Sequence, residues 1–356
     1  MAQLCRAIAF YLPQYHPIPE NDEWWGKGFT EWTNTAKAKP LFPGHYQPHV
    51  PADLGFYDLR VPETRIAQAE MARAYGIEGF CYYHYWFGGK RLLERPFNEV
   101  LRSGEPDFPF CLCWANETWS GKWYGCPDRT LIEQTYPGKE DEKKHFDSLL
   151  PAFSDKRYLT VDDKPIFIVY KPQLLPDPRD FVDHWRSLAQ KNGLPGLYMI
   201  GSGNELQDPE SYGFDAVILY KGFQRNISSI LAKLWLKLKI LRRKFYGYPT
   251  EIYHYRKALS NLSIPEAAKE HVHPSVIPNW DNTPRCGMRG VILHGSTPEL
   301  FSLLLQDTLK NILHKEFDHR LLFIKAWNEW AEGNYLEPDL RYGKAYLEVI
   351  KQVIDI

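Results

Sequence analysis

The sequence lacks most of the short signatures that would settle its class at once. No C-x-x-C pair occurs, so Cys5, Cys81, Cys111, Cys113, Cys126 and Cys286 suggest no zinc knuckle and read as reduced, mostly buried thiols. Neither G-x-G-x-x-G nor G-x-x-x-x-G-K-[ST] is present, which removes the usual dinucleotide and phosphate-cradling loops. There is no uncharged apolar run of membrane-spanning length, and the opening "MAQLCRAIAFYLPQYHP" meets a proline too early to form a signal-peptide core. Charge of either sign is missing in bulk: the formal net charge is −1 at pH 7, so nothing draws the whole chain toward nucleic acid or an anionic membrane. The expectation is a cytoplasmic chain with no cofactor and no nucleic-acid partner.

Aromatics, by contrast, make up 15% of the 356 residues, with 12 Trp and 22 Tyr, many beside polar residues rather than inside aliphatic runs. A pyranose ring has an apolar C–H face and a polar rim, so its site needs flat platforms beside fixed hydrogen-bond partners. The same rings also suit core and loop packing.

Short β-type runs recur at 7–13, 79–86, 109–115, 165–171, 197–203, 215–221, 274–280 and 321–327. Helical spacing lies between most of them, at 63–75, 91–103, 139–150, 179–192 and 298–315, and again at 342–353. Strands alternating with helices predict a parallel sheet, and eight such units without a dividing linker predict a single α/β domain over 1–356, a (β/α)8 (TIM) barrel with long aromatic-rich βα loops. In that fold the loops after the strands build the site. The candidate contacts are therefore Gln14 and His16 after the first strand, His84, Tyr85 and Trp86 after the second, and Asn116, Glu117 and Trp119 after the third. Lys171, Lys221, Trp280 and Asp281 follow the fourth, sixth and seventh, and Trp327, Asn328, Glu329 and Glu332 the eighth. Trp25 and Trp32 lie in "NDEWWGKGFTEW", one of two loops longer and richer in tryptophan than a connection needs.

Glu329 and Glu332, three residues apart in "KAWNEWAEGNYLEP", can share one face of a helical turn and approach within about 5–6 Å. Glycosidic cleavage needs such a pair, one group to protonate the leaving oxygen and one to assist the oxocarbenium-like centre. Close carboxyls separate each other's pKa, which leaves one protonated and one charged.

"WNEWAEGNYLEP" resembles the N-E-W-H-E-G-T-x-I-E-P signature of glycoside hydrolase family 99, the endo-α-mannosidases and endo-α-mannanases. Nearly end to end, the chain is similar to the WbsX-like, family-99-like proteins of bacterial O-antigen and capsule gene clusters. The strings that carry this are "AFYLPQYHPIPENDEWWGKGFTEW", "HYQPHVPADLGFYDLR", "GFCYYHYWFGGKRLLERP", "CLCWANETW", "WDNTPRCGMRG" and "HGSTPELF". The resemblance implies a barrel acting on glycans without a catalytic metal. By motif, Glu329 would take the proton of the substrate's own 2-hydroxyl, forming a 1,2-anhydro sugar, and Glu332 would be general acid and then base, with net retention. Ala331 and Asn334 stand where family 99 has His and Thr. Glu117 in "WANETW" is then a third catalytic carboxylate or a hydroxyl clamp.

Three readings remain open: a retaining hydrolase or transglycosylase, a sugar-nucleotide glycosyltransferase, and a non-catalytic glycan binder. Against the second, the sequence has no D-x-D triplet. His45 and His49 have metal-like spacing, but Pro48 interrupts it. Asp281 either binds hydroxyls or holds its loop through Arg285. Finally, residues 225–247 carry seven cations, no acid and a helical apolar stripe, the composition of an interfacial helix that would hold the chain on anionic lipid beside a lipid-linked oligosaccharide, or of an inserted helix packed on the barrel.

Overall fold

The computed structural model describes residues 3–121, 129–203, 208–222 and 251–355, with the single positions 238, 241 and 249. The stretch 225–247 lies outside the described residues, except that Leu238 and Leu241 are helical and exposed.

Eight parallel strands close on themselves. They are β1 (Arg6–Tyr11), β2 (Gly79–Phe87), β3 (Phe110–Trp114), β4 (Lys164–Val169), β5 (Tyr198–Ser202), β6 (Ala216–Leu219), β7 (Val272–Val276) and β8 (Leu321–Ile324). Each pairs with its neighbour in chain order, and β1 closes the ring by pairing with both β2 (Ile8 opposite Gly79) and β8 (Arg6 opposite Leu321). Strands covered on both faces are largely apolar, and every residue of β1, β2, β3, β5, β7 and β8 is buried. Gly79 is required where β2 meets β3, because a Cβ there would lie 2.6 Å from the Pro109 carbonyl oxygen.

Most of the connecting helices begin where proline or a capping residue places them. Helices α1 (Pro19–Trp25) and α2 (Glu31–Lys37) fill the loop after β1, followed by α3 (Pro62–Ala74) and α4 (Arg95–Ser103). The outer ring continues with α5 (Lys139–Phe153), α6 (Pro178–Lys191) and α7 (Tyr255–Leu262). After the short α8 (Thr283–Cys286) come α9 (Pro298–Lys310) and α10 (Ala345–Ile354). The Asp177 side chain caps α6 by accepting from Asp180 N at 3.0 Å, and Thr297 caps α9 at Leu300 N.

Three boundaries differ most from expectation. The helix expected at 91–103 starts at Arg95, because Lys90–Leu92 pairs back antiparallel on the end of β2. The seventh strand is Val272–Val276 rather than 274–280, and Trp280–Asp281 instead joins Glu251–His254 and Val291–His294 in a small separate sheet. The helix expected at 298–315 ends at Lys310.

Candidate active site

The two glutamates sit in a tight hairpin after β8. Asn328–Glu329 pairs antiparallel with Asn334–Tyr335, and residues Trp330–Glu332 form one 3-10 turn between them. Side chains three apart eclipse in that turn, so Glu329 and Glu332 lie on one side of it. Gly333 closes the turn at φ 59°, where a Cβ would come within 2.8 Å of the Asp281 amide nitrogen. The hairpin thus rests directly on the loop after β7. The Asn328 side chain fastens its base, accepting from Leu12 N (2.7 Å) and donating to the Leu12 carbonyl (3.0 Å).

Both carboxyls are nearly sealed, 4% and 8% exposed, and they share a side-chain hydrogen bond. Their surroundings differ. Arg285 Nη1 donates to Glu332 Oε1 at 2.5 Å, whereas Glu329 Oε2 is buried without a hydrogen-bond partner. Burial, reinforced by the charge of Glu332 and only partly offset by Lys325, pushes the Glu329 carboxyl up to about 8. Burial works the same way on Glu332, but Arg285 and Lys325 outweigh it and hold that carboxyl below the usual value.

Lys325 follows β8 directly, its Nζ 5.6 Å from the Tyr170 ring centroid and 5.7 Å from that of Trp280. Burial would lower its pKa, yet Glu329, Tyr170 and Glu332 raise it well above the ordinary range, so it stays charged. Tyr83 and Tyr85 of β2 lie within electrostatic reach of Glu329; burial raises both phenols, and the Glu329 charge raises them further. Trp119 packs edge-on against Tyr85 at 4.9 Å, and Lys171 Nζ lies 3.9 Å from the half-exposed carboxylate of Glu117. Three acids, three cations, tyrosines and two tryptophans therefore converge at the C-terminal end of the barrel, where polar groups and flat rings can hold a hydroxylated ligand.

Other candidates are placed elsewhere, for reasons of geometry. Strand alternation turns His84 and Trp86 away from Tyr83 and Tyr85 and under α5, where both stack on His145 and Trp86 Nε1 donates to Asp141. Trp327 is fully buried against Phe80, and Trp32 packs among Tyr15, Tyr57 and Trp330 with its indole N–H on the Tyr57 carbonyl. His16 is buried against the Pro13 carbonyl. Asn116 bridges the loops after β3 and β4, accepting from Lys171 N and donating to the Lys171 carbonyl. Gln14 donates to Glu31, Lys221 pairs with Glu266 at 2.6 Å, and Trp25 packs near Phe29.

Asp281 is a loop anchor, but not through Arg285. It accepts from Thr283 on one oxygen, and from His45 Nε2 (2.6 Å) and Gln47 on the other. His45 and His49 consequently face different partners, His49 bonding to the Tyr335 hydroxyl. Among the described residues no group of three or more His, Cys, Asp or Glu is arranged to hold a metal ion.

Lys325, Glu31 and Tyr170 carry no sequence signature of a site, and the sequence points to Arg285 only as a possible partner of Asp281, whereas it pairs with Glu31 and Glu332. For Lys325 the visible hint was a lysine interrupting the apolar run before "AW". Nothing in the spacing links Glu31 to Arg285, 254 residues away.

Comparison with known proteins bears on the fold and on the family. The solved structure of a glycoside hydrolase-like protein covers 99% of this chain and 94% of its own, at TM-score 0.62 and 15% identity. The family 99 endo-α-mannosidase from Bacteroides thetaiotaomicron, in complex with bis-tris propane, covers 98% and 96% at TM-score 0.59 and 14% identity. These likenesses show the fold. In sequence, the uncharacterized protein WxcX of Xanthomonas campestris pv. campestris is 39% identical over 349 residues, 98% of this chain. The chain spans about half the length of the curated relatives it matches, 49% in that case. The family described as glycosyltransferase WbsX matches residues 7–350, and the chain belongs to that family.

Proposed function

We propose that the chain is a glycan-active enzyme of retaining type, a hydrolase or transglycosylase, acting on an α-linked glycan or lipid-linked oligosaccharide of bacterial surface polysaccharide. The observation that carries this is the buried carboxyl pair at the barrel mouth, whose two members sit in environments that favour opposite protonation states. One group holds a proton for the leaving oxygen, and the other is a charged acceptor for the proton of the sugar's 2-hydroxyl as a 1,2-anhydro sugar forms. Glu117 and Lys171 would bind hydroxyls further along the cleft.

The family's description favours a second reading, transfer from a nucleotide sugar. One assay separates the two. Purified protein is incubated with UDP-, GDP- or dTDP-sugars and an acceptor, and in parallel with preformed bacterial α-glycans. Shortening or rearrangement of the glycan without a donor is the expected result; extension of an acceptor that depends on a donor, with no cleavage, would favour transfer.

The reading places the chain in the cytoplasm, in peripheral contact with anionic lipid through residues 225–247. None of the described helices is long and apolar enough to cross a membrane. Vesicles containing phosphatidylglycerol should carry the protein upward in a density gradient, and Lys→Gln changes at Lys233, Lys237 and Lys239 should abolish this. Sedimentation of the native protein away from such vesicles would remove the contact.

A further inference from the structure

Arg285 connects the carboxyl pair to a second buried acid. Its Nη1 donates to Glu332 Oε1 at 2.5 Å, while Nε (2.9 Å) and Nη2 (2.5 Å) both donate to Glu31 Oε1. Glu31 is fully buried on α2, and its other oxygen accepts from Gln14 Nε2 at 3.1 Å. The Nε/Nη2 edge of the guanidinium is thus held from behind by Glu31, and its remaining arm, Nη1, meets Glu332 rather than Glu329.

We propose that Arg285, anchored by Glu31, is a positioning residue that fixes Glu332 as the charged member of the pair and leaves the shared proton on Glu329. The duties within the pair are then the reverse of those implied by the resemblance to family 99. Glu329 gives its proton to the glycosidic oxygen as the C1–O bond breaks, the bonding electrons going to that oxygen. Glu332 takes the 2-hydroxyl proton as O2 bonds to C1. In the second half, water adds at C1 and gives its proton to the Glu329 carboxylate; the C1–O2 bond breaks, and O2 recovers its proton from Glu332. Both groups end as they began.

The other charged and titratable groups around the pair are compatible with this order. Lys325 lies near both glutamates and favours neither by contact. Cys286 is beside Glu332, Tyr83 and Tyr85 lie within electrostatic reach of Glu329, and Tyr170 lies toward Lys325, Glu117 and Glu332. Tyr15 closes the far side, near Glu31 and Arg285. None of these places a cation in hydrogen-bond contact with Glu329.

This inference rests on the proposed function for its meaning, but its test needs no substrate. Protein labelled with carbon-13 at the glutamate carboxyl is titrated by NMR as the E329Q and E332Q variants, where the signal lost on substitution identifies each residue. The expected result is that Glu329, read in E332Q, titrates at higher pH than Glu332, read in E329Q. Adding R285M to E329Q should raise the Glu332 midpoint by roughly 1–3 pH units, the range for loss of an adjacent opposite charge. R285K should restore most of that shift, which a purely structural role would not require. If R285M fails to fold, E31Q on the E329Q background replaces it and should move Glu332 in the same direction by a smaller step. A Glu332 that titrates above Glu329, or a midpoint unmoved by the Arg285 or Glu31 change, would overturn the proposal. Failure of the glycan assay with the titration order intact would count against the proposed function alone.

Discussion

Replacing either glutamate of the pair with glutamine should lower turnover on an α-linked glycan by about 10²–10⁴-fold, the span associated with a positioned general acid or base. Stability should separate the two variants. Glu329 is already neutral at rest, so E329Q exchanges one uncharged group for another and should melt with the native protein. E332Q removes a carboxylate that faces Arg285 and Lys325, and breaking such a buried pair leaves excess positive charge in the mouth, so it should melt lower. Turnover within tenfold of native in both variants, measured by release of reducing ends, would remove the pair from the chemistry. The pH response has a fixed sign. Glu329 keeps its proton up to about 8, so cleavage should fall as pH rises through that value. An unfolded glutamate releases its proton near 4.5, so the folded state binds the extra proton only between these values. Over that window Glu329 costs stability as pH rises; above about 8 and below 4.5 it contributes no further change.

The barrel was legible because its signal is repeated. Eight apolar runs and the helical spacing between them each satisfy a short-range rule, and the closed ring is their joint solution. The carboxyl pair was legible for the same local reason, since three-residue spacing in one turn puts both groups on one side. What could not be read was parity and distance. His84 and Tyr85 are adjacent in sequence, and the pleat sends one toward α5 and the other toward Glu329, so a list of residues following a strand mixes both faces. The Arg285 to Glu31 contact joins the loops after β7 and β1, which only the folded ring brings together. The sheet that includes Trp280–Asp281 escaped notice because its strands are only two to four residues long, too short for periodicity to show.

The tryptophans of the motif belong to the scaffold on which the pair is held, and Trp330→Ala should show it. Trp330 is 1% exposed, stacks on Tyr335 with ring centroids 3.9 Å apart and planes 13° apart, and meets Trp32 at 5.5 Å. Its indole N–H donates at 2.6 Å to Glu337, a buried carboxyl that also accepts from Gln68 Nε2 (2.6 Å) and the Tyr57 hydroxyl (2.9 Å). Deleting the ring loses about 3–5 kcal/mol of burial and packing. Removing one donor from Glu337 adds about 1–3 kcal/mol for a less satisfied buried acceptor. Together these should lower the melting temperature by on the order of 10 °C. Trp330→Phe keeps an aromatic ring against Tyr335 but lacks the N–H, so it isolates the second contribution and should fall between the two. If the residue were instead an exposed platform for sugar, Trp330→Ala would melt near the native temperature and lose only binding. Because the turn between Glu329 and Glu332 is built on this ring, the destabilised variant should also lose turnover at temperatures where it remains folded. A substitution on the rim, Trp119→Ala, removes a partly exposed ring from Tyr85 without touching that turn, and serves as the control whose melting temperature stays closer to native.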